Sequence, residues 1–155
     1  MQYQSKKPSQ KKNSCKKEAS KFKAKPESLS HIPGNVLIID DEPLIANAVS
    51  RMLNILGCHA SLASDGIEGL QILREDKDAI SVILLDVTLP FTKPDELLSD
   101  LLSESNGIPI IIFSGHCSDD ILPLLQMGAR DFLEKPINLQ ILEETFNRIF
   151  PPPSS

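Results

Sequence analysis

The sequence predicts a doubly wound α/β fold, because short apolar runs alternate with helix-length amphipathic stretches five times between residues 35 and 150. Three of the runs, VLII at 36–39, ISVILL at 80–85 and IPIIIF at 108–113, are almost uninterruptedly apolar, as parallel strands covered on both faces are. The other two, CHASLA at 58–63 and RDFLEK at 130–135, interleave polar residues and read as half-exposed edges. Strands are therefore expected at Val36–Ile39, Cys58–Ala63, Ile80–Leu85, Pro109–Phe113 and Asp131–Leu133. With the second and fifth outermost, right-handed crossovers give a five-stranded parallel sheet in the flavodoxin-like order 2-1-3-4-5, with five helices. Its switch point lies between the first and third strands, and ligands bind there, at the carboxyl ends.

Ahead of this body, residues 1–34 hold nine lysines against Glu18 and Glu27, a net of +7, so the remainder carries −12 of the total −5. A basic, Ser/Pro/Gln-rich stretch with few apolar residues reads as a disordered arm, with the boundary near Pro33-Gly34 and His31 inside it. The folded domain is expected over 35–150 and a short Pro/Ser tail over 151–155. No apolar stretch follows the lysine-rich start, and nothing approaches the roughly eighteen apolar residues of a membrane helix, so a soluble cytoplasmic protein is expected. Cys15, Cys58 and Cys117 have neither disulfide-framework nor zinc spacing and read as idle or buried thiols.

The first helix is expected from Pro43 to Leu56, with proline in its first turn and Gly57 past its end. The second opens at Asp65-Gly66 and carries Ile67, Leu70, Ile72 and Leu73 as its stripe; the third starts at Pro94 and carries Leu97, Leu98, Leu101 and Leu102. The fourth should span Ser118–Met127, but Pro123 in its interior would remove a donor and clash, so the helix is expected to start late, with Pro123 as its first residue. Asn138 suits the N-cap of the fifth, whose stripe is Ile141, Leu142, Phe146 and Ile149.

Chemistry gathers at the strand ends. Asp40-Asp41 closes the first strand and Asp86 the third, so the strand order brings three carboxylates to the switch point. Such a cluster is costly without a cation, and Mg²⁺, a hard ion that takes one or two carboxylates and leaves room for phosphate, fits it. Ser114 and Lys135 close the fourth and fifth strands on the same edge. A hydroxyl and an amine there suit two oxygens of a phosphoryl group, the metal a third.

Four separated stretches, IIDDEP, LLDVTLP, FSG and GARDFLEKP, resemble the receiver domain of bacterial-type two-component response regulators over residues 35–150. The resemblance implies that Asp86 is the phosphoacceptor, Asp41 a direct Mg²⁺ ligand and Asp40 a second or water-mediated one, with the Thr88 main-chain carbonyl another. It also makes Ser114 the hydroxyl that turns toward phosphate, Phe132 the aromatic switch residue and Lys135 the phosphate-binding lysine. His116 falls at the mouth of the site, where, with Thr88, it would tune phosphoryl lifetime, and the Lys135–Pro136 bond is usually cis in the family. Pro94 stands where many members carry glycine, which bears on the local loop.

The implied function is a phosphorylation switch in a two-component phosphorelay, a signalling domain with at most self-phosphorylation and self-dephosphorylation activity. Residues outside 35–150 lack the apolar content for a second core, so a stand-alone module is expected. Its partners would be a histidine kinase or phosphotransfer protein upstream and a protein docked on the fourth-helix, fifth-strand and fifth-helix face downstream. Two other readings stand beside it. A metal-dependent aspartyl-phosphate phosphohydrolase would place a second Asp two residues after the nucleophile, where this chain has Thr88. Binding of an anionic partner such as nucleic acid through the lysine arm would be electrostatic and salt-sensitive.

Overall fold

A computed structural model of the chain describes Leu29, residues 31–32, 34–115 and 120–154. Expectations placed on residues 1–28, on His116 and Ser118, and on Cys15 and Cys117 lie outside the described residues. Five strands, β1 (Asn35–Ile39), β2 (Ala60–Ala63), β3 (Ile80–Asp86), β4 (Ile110–Ser114) and β5 (Asp131–Glu134), form one parallel sheet in the order β2-β1-β3-β4-β5. Between and after them run α1 (Pro43–Ile55), α2 (Gly66–Asp76), α3 (Pro94–Ser105), α4 (Leu122–Met127) and α5 (Leu139–Ile149), with a 3₁₀ turn at Lys77–Ala79. The fold class and strand order are those the apolar runs imply. No helix among the described residues is long and apolar enough to cross a membrane.

Alternation along the central strands divides the core in two. Val36, Ile38, Val82, Leu84, Ile111 and Phe113 face α1 and α5, whereas Leu37, Ile39, Ile83, Leu85 and Ile112 face the other layer, built by α2, α3 and α4. The local signals act as their chemistry dictates. Pro43 and Pro94 open their helices, Asn106 ends α3 in the left-handed region (φ 54°), and Asn138 accepts a 2.8 Å hydrogen bond from the N–H of Ile141. At α2, Asp65 accepts from the Glu68 N–H, and the Glu68 carboxylate accepts in return from the N–H and hydroxyl of Ser64.

Four expectations need correction. Ile67 is 80% exposed, because the face of α2 against the sheet is Gly66, Gly69 and Leu73; a Cβ on Gly69 would lie 2.5 Å from Ile39 Cδ1, so only glycine lets the helix approach so closely. Likewise Ile141 is 40% exposed, and Thr145, whose hydroxyl donates to the Ile141 carbonyl, takes the buried place on α5. Pro123 is the second helical residue and not the first, since α4 begins at Leu122. The packed body also starts upstream of Pro33-Gly34: Leu29 is fully buried, its N–H donates to the Leu56 carbonyl, and its own carbonyl accepts from the Cys58 thiol. Ile32 joins the same cluster, and His31, expected in the arm, pairs through Nε2 with the Phe150 carbonyl at 2.9 Å.

Candidate functional site

The sheet delivers its polar side chains to one edge. Asp40 follows β1, Asp86 ends β3, Ser114 ends β4 and Lys135 follows β5, so four carboxyl ends meet where the strand order reverses. Asp40, Asp41 and Asp86 each place a carboxylate oxygen within 4.8 Å of the others. Asp40 and Asp86 are 2% and 1% exposed, while Asp41 faces solvent. Neither buried carboxylate acts as a helix cap in the ordinary sense; each turns one oxygen onto its own following turn. Asp40 Oδ1 accepts from the Glu42 N–H at 2.8 Å, and Asp86 Oδ1 accepts from the N–H and hydroxyl of Thr88 at 2.9 and 2.8 Å. That leaves the two Oδ2 atoms pointing at the same cation.

The cation is Lys135, whose amine lies 3.3 Å from Asp40 Oδ2, 3.2 Å from Asp86 Oδ2 and 4.0 Å from Glu42 Oε1. Its N–H is tied to the Ser114 carbonyl at 2.9 Å, and the Lys135–Pro136 peptide is cis. Burial pushes the Asp40 carboxyl up to about 6, with repulsion from Asp86 adding to the rise and the Glu42 N–H and Lys135 opposing it. One lysine is shared among Asp40, Asp86 and Glu42, with Asp41 beside them, which leaves the pocket anionic, the charge pattern of a site for a hard divalent cation.

Of the other expected residues, Ser114 and Thr88 lie at the same edge and Phe132 apart from it. Ser114 is fully buried at the end of β4. Phe132 sits on β5 in register with Ile112, 36% exposed, on the α4 side of the sheet and apart from the carboxylates. A cleft of about 410 Å³ lined by Thr88, Pro94, Ser114, Asp120, Pro123 and Leu124 separates α4 from the loop after β3. Thr88 meets Asp86 through its N–H and hydroxyl.

Residues 36–147 match the response regulator receiver domain family. The chain belongs to that family. Among curated proteins, this receiver domain is 31% identical over 109 residues to a probable transcriptional regulatory protein, TcrX, of Mycobacterium tuberculosis, covering 70% of the chain and 46% of that protein. It is 27% identical over 120 residues to the transcriptional regulatory protein GlrR of Escherichia coli, covering 77% and 27% respectively. The chain thus spans less than half the length of these curated relatives. Among solved structures, a receiver domain protein from Clostridium thermocellum superposes with a TM-score of 0.69 at 29% identity, over 74% of this chain and 92% of that one. The chemotaxis protein CheY4 of Vibrio cholerae gives 0.68 at 28%, over 76% and 98%.

Two features of this receiver domain's site escaped the sequence. The hydroxyl of Thr88 reaches back to Asp86, a short-range turn contact that a threonine two residues after an aspartate can signal. Phe113, read as the end of the fourth strand and part of FSG with no role of its own, stands with its ring 4.6 Å from the Lys135 amine. Its place one residue before Ser114, and on the same face as Asp86, was the available clue.

Proposed function

We propose that the chain is a phosphorylation switch that accepts a phosphoryl group on Asp86 in a Mg²⁺-dependent reaction. The supporting observation is the meeting, at one sheet edge, of a buried Asp86 carboxylate with Lys135 at 3.2 Å and two further aspartates. Thr88 holds Asp86 Oδ1, which fixes the carboxylate's orientation and leaves Oδ2 toward the amine. Attack by an Asp86 oxygen forms an acyl phosphate as the bond from phosphorus to the donor breaks, and the donor, a phosphohistidine imidazole, leaves with its electron pair and takes up a proton. Lys135 moves its bonds from the carboxylates to a phosphoryl oxygen, and Ser114, at the end of the neighbouring strand, donates its hydroxyl to another. Asp40, Asp41, Asp86 and the Thr88 carbonyl would hold Mg²⁺, which when bound supplies neutralising charge to the phosphoryl oxygens.

On this reading the domain signals by binding and is not a turnover enzyme. The upstream partner is a histidine kinase or phosphotransfer protein, and the downstream partner docks on the face made by α4, β5 and α5, where Phe132 is half-exposed. The setting is cytoplasmic. Intact-mass measurement after incubation with Mg²⁺ and a small phosphoryl donor tests the reading. One added phosphoryl group on the wild type and none on Asp86→Asn is expected; equal labelling of both would overturn it.

A further inference from the structure

One contact of the site has no part in the reaction described so far. The Lys135 amine stands over the face of the Phe113 ring, 4.6 Å from its centroid. Strand order explains how it comes there. Asp86 pairs in register with Phe113 on β4, and Phe113 pairs with Leu133 on β5, so the ring fills the row between the accepting carboxylate and the strand that the lysine follows. The lysine stem must cross β4 to reach Asp86, and the ring is the floor it crosses.

We propose that Phe113 is a positioning residue for phosphoryl transfer, the face of its ring holding the Lys135 amine beside Asp86; this rests on Lys135 being the phosphate-binding group. A ring face attracts an ammonium, most strongly where both are withdrawn from water. Here Phe113 is fully buried and the Lys135 side chain only 13% exposed. The other partners of the amine, Asp40, Asp86 and Glu42, are all carboxylates, for which a divalent cation and an incoming phosphoryl group compete. A benzene ring ligates neither. The ring contact therefore persists while the carboxylates are engaged, and the register of β4 fixes where it lies. A leucine in its place would fill the same core and give the amine no such hold.

Fluorinated phenylalanines at position 113 of the full chain, which keep the ring's shape while draining charge from its face, test the role alongside Phe113→Leu. The first readout needs no phosphoryl group: the NMR shift of the Lys135 ε-methylene protons should lie upfield from the ring current and move to ordinary values in Phe113→Leu. Initial phosphorylation rate by a small donor should fall stepwise with fluorination, by about 2- to 30-fold overall. The fall should disappear in a Lys135→Met background, since the coupling and not the packing is what fluorination removes. Unshifted ε-methylene protons in the wild type, a rate indifferent to fluorination, or a loss undiminished without the amine would each overturn the proposal. A wild type that accepts no phosphoryl group would instead overturn the phosphoacceptor reading of Asp86, and a Lys135→Met variant as fast as wild type the reading of Lys135, so the failures are distinguishable.

Discussion

Asp40→Asn should stabilise the metal-free protein, and the gain should depend on pH in a way the site dictates. The Asp40 carboxyl is raised from 3.8 to about 6, chiefly by burial. Between those values the folded protein binds more protons than the unfolded chain, so stability falls as pH rises through the interval. The span of about two units at about 1.4 kcal/mol each comes to about 3 kcal/mol lost by pH 7. This figure already contains the attraction of Lys135. Asparagine imitates the neutral acid and can keep the 2.8 Å bond from the Glu42 N–H, so it removes the loss without opening a cavity. The variant should match wild type near pH 4 and exceed it by up to about 3 kcal/mol above pH 6, roughly 6–12 °C in melting midpoint. Urea unfolding from pH 4 to 8 in the presence of a chelator measures this, and saturating Mg²⁺ should narrow the gain by favouring the charged form. A gain that is absent, or the same at every pH, would refute the reasoning.

Leu29→Ala should lower stability by about 2–3 kcal/mol, seen as a shifted urea midpoint, since it empties a fully buried site; an unchanged midpoint would show that this segment adds nothing to the core. Gly69→Ala should destabilise on the order of 1 kcal/mol although alanine is the better helix former, because its Cβ would meet Ile39 at 2.5 Å; thermal melting reads the sign. Backbone amides of Leu124–Met127 should exchange hydrogen faster than those of Ile83–Leu85, because a six-residue helix has little stability of its own. Equal protection would rule out α4 as the soft element of the domain.

Where burial on both faces forces a continuous apolar run, the sequence reads directly into the sheet: the runs mark the three central strands, and right-handed crossovers then set the order. The carboxylate cluster was legible for the same reason, since strand ends in a parallel sheet point to one edge. Ile67 was misread because periodicity counts apolar residues and cannot see that Gly66 and Gly69 mark the tighter face. Leu29 and Ile32 were misread because two apolar residues in a lysine-rich context make no pattern; they join a cluster assembled from distant parts of the chain, and the Leu29 N–H meets the Leu56 carbonyl just past α1. Phe113 was seen as a strand residue, and no spacing rule says that a buried strand ring also faces an amine.

The contact between His31 and Phe150 brings the segment ahead of β1 to the end of α5. The polypeptide path is thus close to a ring. A short peptide joining Phe150 to Leu29, which keeps that buried residue in place, would close the ring, and the chain could be reopened at Asn106-Gly107, an exposed turn where a Cβ on Gly107 would meet nothing within 4 Å. Every strand pairing would survive such a permutation. Its new ends would lie between α3 and β4, which makes the order in which the two core layers are built, and not only the layers themselves, open to redesign.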